Sequence, residues 1–245
     1  MNESPRAPHH LDLFALEIII VLALISLPDL LLSDYVSLPL VLRRSSLVQM
    51  RSLEHLVSNL EYLVPVVLFI AMLILWLIRR NVWERRVAIV YLSWVTLRLM
   101  SKILLIIFII TSRPQTGVGV LLKDTFVLWL INFALFGTWF WIIDAGGPSA
   151  RRGGAFGPGG TSGPGGTFGR YDFAFPQRTV SLPGWEDWQP GYWDYLYLAF
   201  SSNTQFGLGD TQVLSLRAKL LSMLQITLSM AVIVFMASIA ISLMR

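Results

Sequence analysis

The 245-residue sequence has no cysteine, only three histidines and only 14% charged residues. Without cysteine there is no disulfide framework, no thiol nucleophile and no Cys-ligated metal site; the absence says nothing about compartment. A soluble domain wets its surface with about 25% charged residues. A chain at 14%, with 55% hydrophobic residues and a mean hydropathy of +0.63, has too few to do so. Soluble enzyme, disordered protein and disulfide scaffold are thereby disfavoured, and an integral membrane protein is expected. His9 and His10 are terminal and His55 stands beside Glu54, so no third ligand at metal-binding spacing accompanies them. There is no HExxH, no Ser/His/Asp set and no paired-carboxylate site. The expectation is a protein that is not an enzyme, with no catalytic residues, no metal and no cofactor. The net charge of +4 reads as loop arginines that set membrane topology, not as a nucleic-acid surface.

What the sequence does have is apolar runs. A hydrocarbon core of about 30 Å needs about 20 apolar residues per helix, and five stretches qualify: residues 11–32, 62–78, 87–110, 125–143 and 214–244. The first has one preceding positive residue, Arg6, and no small-residue cleavage site, so it reads as a retained span and not a signal peptide. Between the fourth and fifth runs, residues 146–169 hold eleven of the chain's eighteen glycines. Such a stretch has no side chains with which to build a core and reads as a flexible spacer. It lacks the Lys-Ser/Thr pair of a phosphate cradle. An aromatic tract follows, from Tyr171 to Phe200, and amphipathic rings favour the membrane interface. The resulting organisation is three N-terminal spans in 1–113, an outer helix in 114–145, the linker 146–170, the aromatic tract with a half-helix and loop in 171–213, and an inner helix in 214–245.

Residues 192–202 run for about eleven positions without Gly or Pro, too short to span and too apolar for water. That pattern predicts a half-helix dipping into the membrane. After it comes Thr204-Gln205-Phe206-Gly207-Leu208-Gly209-Asp210, in which glycines alternate with bulky residues and break helix periodicity. Non-helical backbone at membrane depth must be buried in protein or line a water-filled cavity. Glycines free to adopt left-handed conformations let successive carbonyls point one way, as they do where a pore replaces an ion's hydration shell.

The order of outer helix, half-helix, Thr-x-x-Gly-x-Gly-Asp and long inner helix resembles the pore module of potassium channels over roughly residues 120–245. The lead-in Tyr192-Trp193-Asp194-Tyr195-Leu196-Tyr197 is also similar to that of a group of small bacterial membrane proteins related to the ion-channel superfamily. The resemblance implies that Gly207 and Gly209 are filter glycines, Asp210 the acidic residue after them, and Thr204 the first threonine at the half-helix end. Gln205 stands where the family has a second threonine, Phe206 where it has a smaller valine or isoleucine, and Leu208 where it has tyrosine or phenylalanine. The implied protein is a homotetrameric, potassium-channel-like pore in a bacterial inner membrane that conducts a monovalent cation such as potassium. Selectivity departs from the family pattern. A secondary transporter, or a scaffold that keeps the fold without conducting, remains as the alternative.

Intramembrane ionisable groups are expensive and mark functional or structural sites. Glu17 lies on the first run, and Arg98 and Lys102 share one face of the third. A buried Glu17–Arg98 or Glu17–Lys102 pair that locks helices together is the leading expectation, ahead of a stimulus-sensing element. Asp194 is placed to bond near the half-helix start, and Asp210 near an aromatic cuff. Five crossings with the filter mouth outside would put eleven Lys and Arg residues on the mouth side and six on the other, against the positive-inside rule. Inverted orientation, an incomplete crossing by residues 87–110, or a further re-entrant piece within 35–50 would each resolve the conflict. The fold class expected is an all-α membrane protein with about five transmembrane helices, a re-entrant half-helix and a filter-like loop.

Overall fold

A computed structural model describes residues 20–21, 32, 63–75, 81–112, 118–148, 171–180, 183–184, 188–204 and 210–243. The described elements are helices α1 (Leu63–Leu75), α2 (Asn81–Ser112) and α3 (Val118–Ile143), the two-residue strand β1 (Phe173–Ala174), a single helical turn α4 (Pro176–Thr179), the half-helix α5 (Tyr192–Thr204), strand β2 (Gln212–Val213) and helix α6 (Leu216–Leu243). Among the described residues three helical stretches are long and apolar enough to cross a membrane: Arg85–Phe108, Gly119–Gly146 and Leu216–Ile241. They match the third, fourth and fifth predicted runs. The first run falls almost wholly outside the described residues, and the second is described as the 13 residues of α1.

Contacts fix the directions of the helices. The Trp139 indole Nε1 donates to Thr96 Oγ1 at 3.0 Å, and Arg85 lies beside Gly147, so α2 and α3 run antiparallel. Arg217 reaches the Ile143 carbonyl and Asn132 the Gln225 carbonyl, so α3 and α6 are also antiparallel. The 32-residue α2 therefore runs alongside α3, and its stretch Arg85–Phe108 is long and apolar enough to cross a membrane. Its outward face carries Val90, Leu97 and Leu104, seven residues apart, all more than half exposed. On α6 the exposed residues include Leu216, Leu220, Met223, Met230, Val234 and Ile241. Apolar faces this extensive are stable only against lipid or protein. The chain is a helical integral-membrane protein.

The ends of these elements follow from local chemistry. Helix α3 stops where Ala145, Gly146 and Gly147 take φ values of 49°, 83° and 96° and the Gly147 N–H donates to the Asp144 carbonyl at 2.8 Å. This left-handed run needs glycine for two of its three residues, and the following Pro148 cannot extend a helix. The first two glycines of the predicted spacer are thus a defined helix stop; residues 149–170 lie outside the described residues. Helix α5 begins after Pro190-Gly191, and the Asp194 carboxylate accepts the Gly191 N–H at 2.7 Å, a reach back from the third helical position to the cap. Helix α6 begins at Ser215, whose hydroxyl accepts the Ala218 N–H as an N-cap.

The core sits between α3, α5 and β1, where Phe136, Phe140, Trp141, Phe173 and Tyr195 are fully buried. Phe173 packs between Phe140 and Tyr195 at ring-centroid distances of 5.0 and 6.1 Å. Part of the aromatic tract expected at headgroup depth is therefore interior packing. Strand β1 pairs antiparallel with β2, Phe173 opposite Val213, which ties the segment before α5 to the segment after its loop.

Gly147→Ala should destabilise the protein by about 1–2 kcal/mol, because a Cβ at φ +96° is strained against the adjacent carbonyl. Gly119→Ala, which meets nothing within 4 Å, should stabilise α3 by up to about 1 kcal/mol. Thermal unfolding in mild detergent measures both, and equal shifts of the same sign would refute this account of the helix stop.

Candidate functional site

The half-helix α5 is 13 residues long and runs beside α3 on one side and α6 on the other. Its depth can be read from its partners. Its Asn203 meets Asn132 and Ser229. At 1.5 Å per residue, these lie about 16 Å below Ile143 and about 20 Å below Leu216. The end of α5 thus lies about halfway along both long helices. Close approach to α3 is allowed by Gly137, where an added Cβ would stand 3.0 Å from the Leu196 Cα. A small residue at such a crossing is the usual device for helix contact in lipid.

Polar side chains lock the lower end. Asn132 Nδ2 donates to Asn203 Oδ1 at 2.8 Å and Asn203 Nδ2 to the Trp129 carbonyl at 3.2 Å. From α6, Gln225 Nε2 donates to the Ala199 carbonyl at 2.7 Å and Ser229 Oγ to the Asn203 carbonyl at 2.5 Å. Asn132, Asn203, Gln225 and Ser229 are all fully buried. The Ala199 and Asn203 carbonyls in the last turns of α5 each thereby accept a hydrogen bond from α6, and that of Asn203 is among the last four of the helix, which have no partner further along it. The Asn132 Oδ1 and Gln225 Oε1 atoms accept no hydrogen bond, so acceptors outnumber donors in this cluster.

A second, ionic cluster holds the upper end. Asp144, just past α3, accepts the N–H groups of Asp172 and Phe173 through Oδ1 at 2.6 and 3.3 Å, and the Tyr195 hydroxyl through Oδ2 at 2.6 Å. Asp172 takes Arg217 in a two-pronged contact, Nε to Oδ1 at 2.7 Å and Nη2 to Oδ2 at 2.6 Å. Arg217 Nη2 also donates to the Ile143 carbonyl at 3.3 Å, and the Leu214 N–H donates to the Asp172 carbonyl at 2.8 Å. Both carboxylates are buried, at 0% and 1% exposure. A planar guanidinium suits such a site because its fork matches a carboxylate and leaves few lone pairs bare. The ends of α3, α5 and α6 and the strand pair are joined through these four side chains.

Of the sequence-predicted site residues, Thr204 is the last residue of α5, its hydroxyl donating to the Ser201 carbonyl. Asp210 is exposed and accepts the Thr211 hydroxyl at 3.2 Å. Among the described residues, the carboxylate bonded to an aromatic hydroxyl is Asp144, not Asp210. Gln205, Phe206, Gly207, Leu208 and Gly209 lie outside the described residues, as does Glu17. Arg98 and Lys102 lie on α2, with Lys102 buried; a pairing of either with Glu17 falls outside the described residues. Sequence reasoning passed over Asn132, Asp144, Asp172 and Gln225 as site residues and read Arg217 only as a topology charge. The available signal was their cost, since Asn132, Asp144 and Gln225 are polar within or at the end of an apolar run; Asp172 lies outside those runs. Among the described residues no group of three or more His, Asp or Glu is placed to hold a metal.

Set against models of protein families, curated proteins and solved structures, the chain shows no significant match. Class therefore rests on the fold: a helical membrane protein with a half-helix seated between two long helices.

Asn203→Leu should lower stability in detergent by about 1–2 kcal/mol, more than Thr227→Ala, whose hydroxyl serves only its own helix. Comparable unfolding temperatures for the two variants would count against the lock. Gly137→Val, which forces α5 off α3, should abolish the native fold or oligomer in size-exclusion chromatography, whereas Gly137→Ala should be tolerated with a small loss.

Proposed function

We propose that this protein is an ion channel: a potassium-channel-like pore that conducts a monovalent cation through a bacterial plasma membrane, works without enzymatic chemistry and uses no nucleic-acid partner. The observation that carries the reading is the 13-residue helix α5, which ends about halfway along the two long helices that flank it and leads in sequence into Gln205-Phe206-Gly207-Leu208-Gly209-Asp210. The C-terminal end of a helix carries partial negative charge, so α5 favours a cation at the depth where the loop carbonyls would replace water. Asp210 contributes negative charge at the mouth, and α6 lines the inner path.

One chain supplies one such loop, so a ring of carbonyls around an axis requires several copies, and a homotetramer meets the need. The face of α5 that α3 and α6 leave open supports assembly. Trp193, Tyr197 and Phe200 are 77%, 51% and 42% exposed at helical spacing, a surface suited to another copy. With Gln205 in place of a threonine and Phe206 and Leu208 beside the glycines, selectivity for potassium over sodium is expected to be weak.

Purified protein in liposomes should take up radioactive rubidium well above protein-free vesicles, and Gln205→Thr should raise the preference for rubidium over sodium. Absence of flux for both proteins would sink the channel reading. Saturable, exchange-type kinetics would point to a transporter, and a stable monomer in mild detergent would exclude the fourfold pore.

A further inference from the structure

The contacts that orient the helices also sort the positive charges. Arg85 stands beside Gly147, and Arg217 reaches the Ile143 carbonyl and the Asp172 carboxylate. The start of α2, the stop of α3 and the start of α6 therefore share one end of the bundle with Asp144, strand β1 and the start of α5. The end of α2, the start of α3 and the end of α6 share the other. Among the described residues that flank the three long apolar stretches, the first end carries Arg85, Arg86, Arg217 and Lys219, and the second carries Lys123. Arg98 and Lys102 lie within the α2 stretch and belong to neither end. The adjoining sequence has the same bias: Arg79 and Arg80 directly precede α2 and Arg151 and Arg152 follow Pro148, against Arg113 after α2 and Arg245 after α6.

We infer that the arginine-rich end is the cytoplasmic face of the protein, so that α5 enters the membrane from the cytoplasm. This is opposite to the outward filter mouth that the resemblance to potassium channels implies. Lysine and arginine are retained on the cytoplasmic side when they stand in short connections or within about 15–20 residues of a span, and Asp and Glu weigh little. The connection before α2 is the strongest case, since only residues 76–80 separate it from α1 and four arginines stand between positions 79 and 86. Discounting Arg217, whose charge is met by Asp172, leaves three described cations against one. The balance does not depend on how many spans precede α1, because contacts, and not a count of crossings, bring these charges to one end. Arg86 is exposed and lies 5.0 Å over the ring of Trp83, itself 51% exposed. An aromatic ring with a cation beside it suits the headgroup level, and the anionic lipids of the cytoplasmic leaflet attract such a cation. The inference rests on the chain's being a membrane protein and not on conduction, because it places the ends of helices and says nothing of what crosses.

The absence of native cysteine makes the test direct. Four single-cysteine proteins are produced at full length in bacterial cells: Gln115→Cys and Thr116→Cys, between α2 and α3 in sequence, and Val180→Cys and Gln189→Cys, both exposed and near the start of α5. Two positions for each end guard against a single unreactive thiol. Spheroplasts are treated with a membrane-impermeant maleimide, then solubilised and labelled with a fluorescent maleimide. Gln115→Cys and Thr116→Cys should lose their later fluorescence. Val180→Cys and Gln189→Cys should lose it only when the membrane is permeabilised before the impermeant reagent is added. The reverse pattern, or equal loss at both ends in intact spheroplasts, would overturn the orientation. Rubidium uptake by liposomes, in which both orientations occur, is read separately, so failure of the orientation and failure of the channel reading are distinguishable.

Discussion

A short helix that ends among apolar helices must find partners for its last carbonyls within the protein, and the packing of α5 against α3 and α6 meets that constraint. Each such group left bare in hydrocarbon costs several kcal/mol. Asn203 sits in the final turn of α5, bonded by side chain to Asn132 and the Trp129 carbonyl and by its own carbonyl to Ser229. Gln225 covers the Ala199 carbonyl one turn earlier. The two long helices thus act as donors to the short one. Asn132, Asn203, Gln225 and Ser229, all fully buried, meet at the level at which α5 ends.

The ionic cluster at the opposite end solves a different problem. Two buried carboxylates near one another repel and are costly to desolvate. Asp172 is neutralised by the Arg217 fork, and Asp144 is met by two backbone N–H groups and a phenol. The cluster draws residues 172–173 against the end of α3, and through the Leu214 N–H and the strand pair it carries the start of α6 with them. The half-helix is therefore fixed at both ends, and the chain that follows Thr204 leaves from and returns to determined points.

Much of this was legible in the sequence. Bilayer thickness dictates helix length, so α2, α3 and α6 announce themselves as apolar runs, and the break-free residues after Pro190-Gly191 announce α5. The helix boundaries at Ile143 and Tyr192 agree with the sequence reading, while α3 begins seven residues earlier than predicted, at Val118, because Lys123 and Asp124 near a membrane interface do not interrupt a helix. The capping role of Asp194 was also readable from its position. Less legible was the role of the aromatic tract, since Phe173, Phe175 and Tyr195 have the composition of an interface belt but are pulled inside by Asp144.

The sequence by itself determined that the chain is a helical membrane protein, where its long helices run and where a half-length helix interrupts them, because these depend on hydrophobic length and local propensity. Only the tertiary structure decided what holds the half-helix in place. Asp172 lies 28 residues from Asp144 and 45 from Arg217, and Asn132 lies 71 from Asn203. Isolated polar residues at such separations have no periodicity to reveal them. They become a site only when the packing of α3, α5 and α6 brings them together in a medium that penalises every unpaired group.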